Sequence, residues 1–442
     1  MNTTSEIKKR PPLFSPGNTL PFILVTALFF LWAIPNNLND ILIKQFMTSF
    51  QITRFEAGLV QSAFYLGYFC WAMPAAFLMR RFGYKAGLVT GLFLFGSGAF
   101  LFWPAAHIRS YGFFLFALFV IASGLSFLET GSNTFIAVLG DPRTSEQRLN
   151  LSQSFNPLGS ITGALVGTVF IFSGIELSEH QIDLLKAQGT LQAYLQSETL
   201  RVIRPYVVLG VVVWIMALLI LKTKFPDIKE ESQTKDARDK GRLSDLLHYP
   251  HFLQGVSAQF FYVGAQVGTW SFLIQYIQDY THQPEKIAGY LLTGSLVAFA
   301  IGRFVATYLM KFYQPSKLMG VYGIINMLLV AIGVLFPGWV GVWAVFLTSF
   351  FMSLMFPTIY ALGIKGLGAN TKLGGSFIIM AIIGGAAAPP AMGFIYGIWH
   401  SMAIAMIVPF VCYAVVTHYA YYGSRMRIPQ AEPTAVSEPA TL

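Results

Sequence analysis

Apolar runs about twenty residues long recur along nearly the whole chain, and that recurrence constrains the fold more than any motif does. Windows of this length place helices at 20–46, 56–79, 84–106, 111–139, 150–173 and 204–222. They place six more at 251–278, 287–310, 317–336, 338–364, 371–396 and 400–422. With 55% hydrophobic residues, 11% charged residues and 40 Phe, the chain carries more apolar surface than a soluble core can hide, so lipid has to solvate the excess. The expected fold class is an all-α membrane protein with about twelve spans.

The most charged interval between runs extends from Lys224 to Pro250 and contains KDARDKGR, which divides the spans six and six. The expected organisation is therefore a tail over 1–19, a six-helix bundle over 20–223, a linker over 224–250, a second bundle over 251–422 and a tail over 423–442. Lys and Arg concentrate in alternate loops: Arg80, Arg81 and Lys85; Arg143 and Arg148; Lys222 and Lys224; Lys311 and Lys317; Lys365 and Lys372; Arg425 and Arg427. All fall on the side of the N-terminus, so the positive-inside rule places both termini in the cytoplasm. The formal charge of +9 belongs to this pattern and not to a nucleic-acid partner.

Lys44, Arg54, Arg109 and Lys286 are exceptions on the opposite side, together with the polar 174–204 segment, whose helical periodicity places it outside the bilayer. Lys8-Lys9-Arg10 before the run from Leu20 resembles a signal peptide, but no small-residue cleavage site follows, which marks an uncleaved first span. Cys70 and Cys412 both lie in apolar runs and read as small buried hydrophobes. His107, His251, His282, His400 and His418 lack metal-ligand spacing, and no P-loop, dinucleotide fingerprint or catalytic triad signature is visible. No metal, no cofactor and no enzymatic chemistry is expected.

The two halves echo one another. Leu78-Met79-Arg80 with Lys85 recurs as Leu309-Met310-Lys311 with Lys317, and the Thr134 to Gly140 stretch has a shorter counterpart from Thr358 to Gly363. Matching repeats at matching places argue for duplication, and a duplicated six-helix unit is the plan of the major facilitator transporters.

Several spans are imperfect as lipid-facing segments. Trp32, Asn36, Asn39 and Asp40 stand at helical spacings of three and four, so one stripe of the first span can face a water-filled cavity, with Pro35 available to kink it. Asp40 either faces that cavity or lies solvated near the helix end, paired with Lys44 one turn on. Glu129 lies deeper, in Phe127-Leu-Glu-Thr-Gly-Ser-Asn133, with Asn133 on its face one turn further. The apolar middle of the first six runs holds no Lys or Arg, so an acid there favours its protonated form, as a proton-binding site requires; the alternative is that Glu129 only makes interhelical hydrogen bonds.

Gln153 and Asn156 gather in the fifth span beside Pro157, and Gln259, Tyr262, Gln266 and Trp270 form a stripe in the seventh. Amides and rings together suit a sugar, whose hydroxyls need paired donors and acceptors and whose C–H face packs on an indole. The same amides can instead join helices. The Gly384 to Pro390 run reads as a site of close helix approach and bending. Arg303 is either a conformational latch or a side chain snorkelling to the cytoplasmic face.

At Asn36-Asn-Leu-Asn-Asp40, Gln61-Ser-Ala-Phe-Tyr-Leu-Gly-Tyr68, Leu128-Glu-Thr130, Arg148-Leu-Asn-Leu-Ser-Gln-Ser-Phe-Asn156 and Tyr262-Val-Gly-Ala-Gln266, the sequence resembles the fucose permease family. These are the fucose/galactose/glucose:proton symporters of the major facilitator superfamily, and the likeness runs from the first to the eleventh span. The resemblance implies proton-coupled import of a monosaccharide across a bacterial inner membrane by a protein expected to be a monomer in lipid. It matches Asp40 and Glu129 to the acids of coupling and sugar binding, and Asn37, Gln153, Asn156 and Trp270 to sugar contacts. The chain departs from the family pattern at Pro35, at Gly131-Ser132-Asn133-Thr134 and at Met355-Phe356-Pro357, where amide and hydroxyl groups are lost. A less polar wall would favour a 6-deoxy sugar or another modified hexose. Coupling to sodium, uniport, and a receptor that binds sugar without moving it are the alternatives.

Overall fold

The computed structural model describes residues 12–13, 16–52, 54–171, 179–226 and 243–426. Twelve helical spans follow one another among the described residues, with no strand. The first is Thr19–Phe50. A helix over Arg54–Phe100 carries the second and third, which part at Gly83. The fourth is Tyr111–Val138, the fifth joins Ser145–Gln153 to Asn156–Val166, and the sixth is Ile203–Lys222. Pro250–Thr281, Glu285–Leu309 and Pro315–Leu335 form the seventh, eighth and ninth. The tenth joins Trp339–Met352 to Met355–Ile364, the eleventh Thr371–Met380 to Gly384–Trp399, and the twelfth Met402–Ala405 to Ile407–His418.

Sequence and fold agree in number and order of spans, and their differences have local causes. The second and third spans need no loop because Gly83, at φ +83° and ψ 169°, turns the chain within one residue, a conformation that side-chain-bearing residues rarely adopt. The fifth span starts at Ser145 and not at 150, because its polar first turns are buried in protein and so escape an apolarity window. Cys412 is buried as expected, but Cys70 is exposed on the outer face of the second span, so only one of the pair is a core residue. Of the expected linker, 224–226 and 243–250 are described, the latter with a short 3₁₀ turn at Leu243–His248, while 227–242 lie outside the described residues. Two short helices, Glu179–Ala187 and Leu191–Leu200, follow the fifth span. The second of them rests on the far end of the first span, where the Gln45 amide donates to the Glu198 backbone oxygen at 2.9 Å and to its carboxylate at 3.2 Å.

Two apolar cores result, one in each half. The first, built on residues such as Phe29, Leu92 and Ile121, also takes in Tyr360, Leu373 and Ile378 from the second half. That trespass marks the side on which the halves are pressed together. It is the side of the chain termini, as shown by the Arg148 guanidinium donating to the Leu13 oxygen at 3.0 Å. Lys85 caps the end of the sixth span there, donating to the carbonyls of Leu221 at 2.7 Å and Thr223 at 2.9 Å.

The Gly384 to Pro390 run packs as its composition suggests. The seventh and eleventh spans touch so closely that a Cβ on Gly384 would collide with the Phe260 carbonyl, and a Cβ on Gly264 would lie 3.3 Å from the Ala388 methyl. Gly384→Val should therefore lower stability by about 1–3 kcal/mol, the usual cost of overpacking. Thermal unfolding of detergent-solubilised protein checks this, and an unchanged midpoint would remove the close approach as a constraint.

Candidate functional site

Between the halves lies a cavity of about 810 Å³, walled by the first, second, fourth and fifth spans on one side and the seventh, eighth, tenth and eleventh on the other. Its two walls differ in chemistry. The first half contributes mainly polar groups, among them Asn36, Asn37, Gln61, Glu129, Gln153 and Asn156. The second contributes mainly apolar ones, among them Val263, Val267, Ile274, Leu292, Phe356 and Ile382, with Gln266, Ser271 and Arg303 as polar points. Such a site can pair hydroxyls along one edge of a ligand and pack carbon against the other.

The first span supplies Trp32, Asn36, Asn37 and Asn39 to the wall. Trp32 is buried and packs on Phe29 with ring centroids 4.4 Å apart. The Asn37 amide donates to the Ala33 carbonyl one turn back at 2.9 Å, and its oxygen accepts from no donor among the described residues. Asp40 lies in the same helix, and its side chain, like that of Lys44, is outside the described residues.

Glu129 sits in the middle of the fourth span at 9% exposure, and no Lys or Arg forms an ion pair with it among the described residues. The Tyr68 hydroxyl stands toward Glu129 and Asn36 without reaching hydrogen-bond geometry with either. Behind the carboxyl, Asn133 donates to the Glu129 backbone oxygen at 2.8 Å and accepts from the Gln153 amide at 2.6 Å. Asn133 thus lies behind the wall and holds Gln153 in place. Asn156 donates to the Phe29 carbonyl at 3.2 Å, tying the fifth span to the first.

Across the cavity the stripe on the seventh span splits by depth. Gln266 and Trp270 line the cavity, whereas Gln259 and Tyr262 are wholly buried nearer the termini side. The Trp270 indole N–H is held by Ser349 at 3.0 Å, and its ring meets Phe299 edge-on at 5.2 Å, so the site presents an indole of fixed orientation. Arg303 does not snorkel: it is 3% exposed and lies at the cavity floor with its guanidinium 4.5 Å from the Phe299 ring centre.

Gln61, Phe64, Tyr65, Tyr68 and Phe299 also line the cavity without a role expected from the sequence, and Phe356 supplies part of the less polar wall expected of Met355-Phe356-Pro357. Gln61, Tyr65 and Tyr68 stand at spacings of three and four along the second span, a periodicity that puts them on one face.

Below the floor the halves are closed by a layer of polar contacts. Thr134 and Tyr360 hydroxyls meet at 2.6 Å, Asn150 donates to the Thr358 hydroxyl at 3.0 Å, and Lys365 pairs with buried Glu146 at 2.7 Å. Thr134 and Thr358 are the matching first residues of the internal repeat, so the duplicated segments face each other across the seal. The cavity extends away from this seal towards Gln61, Tyr65, Ile274 and Leu292 on the opposite side.

Two helix bundles closed at one end around a half-polar cavity define a class, that of membrane transporters built for alternating access. Residues 22–381 match the family model described as Major Facilitator Superfamily. The chain belongs to that superfamily and, within it, to the fucose permease family. It is 44% identical over 409 residues to the L-fucose-proton symporter of Escherichia coli (strain K12), covering 92% of this chain and 93% of that protein. It is 33% identical to the glucose/galactose transporter of Brucella abortus biovar 1 (strain 9-941), over 91% and 93% of the two chains. The crystal structure of the E. coli fucose:proton symporter superposes with a TM-score of 0.85 at 43% identity, covering 92% of this chain and 100% of that one. A structure of the transporter FucP in the outward conformation superposes with a TM-score of 0.84. The chain is a multi-pass membrane transporter and not an enzyme.

Proposed function

We propose that this protein imports L-fucose or a closely related hexose together with a proton, by rocking its two bundles about the central cavity. The observation that carries the reading is Glu129, a carboxyl in mid-membrane with no cationic partner among the described residues, opening on a wall of amides opposite a fixed indole. A carboxyl so placed can take a proton from the open side and hold it while the sugar is bound. Asn36, Asn37, Gln153, Asn156 and Gln266 pair the sugar hydroxyls, and Trp32 and Trp270 pack on its C–H face. Asn133 supports Gln153 from behind, and Gln259 and Tyr262 join the path when the bundles rock. Asp40 is the second coupling acid. The apolar wall at Val263, Phe356 and Ile382 suits the methyl group of a 6-deoxy sugar. The basic loops set the termini side in the cytoplasm of a bacterial inner membrane, which makes the closed seal cytoplasmic and the present state outward-facing. The carrier acts as a monomer in lipid.

Proteoliposomes test this directly. With labelled L-fucose, galactose or glucose outside, an inward proton gradient alone should drive accumulation of at least one sugar, and a sodium gradient alone should drive none. Accumulation on sodium alone would assign the coupling ion differently. Binding without flux under any gradient would turn the reading to a receptor.

A further inference from the structure

At the cavity floor, Arg303 joins two backbone carbonyls that proline has left without helical partners. Its Nε donates to the Ser353 oxygen and a terminal nitrogen donates to the Gln153 oxygen, each at 2.8 Å. In a helix each of these oxygens would accept the N–H four residues on, and in both cases that residue is a proline, Pro357 for Ser353 and Pro157 for Gln153. Ser353 belongs to the second half and Gln153 to the first. The two spans break at those points, between Met352 and Met355 and between Gln153 and Asn156. Gly302 lets the eighth span lie close enough for this, because a Cβ there would strike the Phe350 carbonyl.

We infer that Arg303 is the positioning residue that latches the two bundles in the outward-facing state, by bridging proline-freed carbonyls from opposite halves. A buried guanidinium needs acceptors, and no acid pairs with Arg303 among the described residues. The two carbonyl dipoles and the Phe299 ring take the place of a carboxylate. The Ser353 bond lies within one half and survives rocking, while the Gln153 bond crosses between halves and has to break when the termini side opens. Gln153 also lines the cavity and is held through Asn133 to the helix of Glu129, so its backbone oxygen moves with the groups that meet the ligand. The latch rests on the rocking proposed above, but not on the identity of sugar or ion.

The test uses substrate-free protein in a background lacking Cys70 and Cys412, with one reporter at a time. The reporters are Leu373→Cys and Ile274→Cys, since Leu373 is buried at the termini side and Ile274 lines the cavity away from the seal. In Arg303→Met the reactivity of the Leu373→Cys reporter with a soluble thiol reagent should rise about tenfold or more, and that of Ile274→Cys should fall, as expected when one charge-assisted bond holding one state is lost. Arg303→Lys, a point charge without the planar fork, should shift both part of the way. Pro157→Ala leaves the arginine intact but gives the Gln153 oxygen an N–H of its own, and should shift the reporters in the same direction. That variant carries the test if Arg303→Met does not fold. Unchanged reactivity at both reporters in Arg303→Met and in Pro157→Ala would overturn the latch, whatever the outcome of the sugar uptake experiment.

Discussion

Glu129→Gln is expected to exchange sugar across the membrane but to lose the ability to concentrate it. Glutamine copies the size and hydrogen bonding of a protonated carboxyl, so the site stays formed, but it has no proton to release on the other side. With one proton carried per sugar, each pH unit supports about tenfold accumulation, since one unit is worth about 1.4 kcal/mol. In the variant the ratio should fall to about one while counterflow of labelled sugar continues. Measuring the two side by side separates coupling from binding. Accumulation at the parental level would sink the assignment, and loss of both would make Glu129 a sugar contact without a coupling role.

Arg148→Met should produce the largest loss of stability among the changes considered. Arg148 is wholly buried at the start of the fifth span and donates to the carbonyls of Ile136 and Ala137, to the Thr144 hydroxyl at 3.0 Å and to Leu13. Ile136 and Ala137 belong to the last turn of the fourth span, whose carbonyls have no partners within the helix. The guanidinium therefore acts as a C-terminal cap that also fixes the chain before the first span. Methionine fills the volume but removes the guanidinium donor from the Ile136 and Leu13 carbonyls, while Ala137 keeps the Ser145 hydroxyl at 2.8 Å; at roughly 1–3 kcal/mol for each acceptor left unpaired, a total loss of about 3 kcal/mol is expected. A drop in thermal midpoint for Arg148→Met, only partly restored in Arg148→Lys, would show it. Equal stability of the three proteins would mean that water reaches those carbonyls.

The spans were legible because lipid imposes a one-dimensional rule, a minimum run of apolar residues, that needs no knowledge of neighbours. The two-bundle plan was legible from the linker charge and the internal echoes. The site was legible by face and less so by depth. Spacings of three and four put Gln259, Tyr262, Gln266 and Trp270 on one stripe, but nothing in that period says where along the stripe the two halves touch. The seal therefore divides it, and only Gln266 and Trp270 reach the cavity in this state. Asn133 shares a face with Glu129 and yet points behind the wall, because Gln153 from another span occupies its amide oxygen. Arg303 was visible as a charge in an apolar run, but its acceptors are main-chain atoms, for which sequence has no letter. Pro157 and Pro357 were the only trace of them, each marking an oxygen four residues upstream.

Among the twelve spans, the seventh alone falls short of the apolarity that a membrane-crossing helix ordinarily shows, since its amides and tyrosines are spent on the cavity and its surroundings. During synthesis such a segment partitions weakly into lipid by itself. Its retention by the apolar spans that follow is therefore expected, with the second bundle assembling as a group. The polar residues that line the cavity are thus also the ones expected to make insertion of the seventh span depend on the spans that follow it.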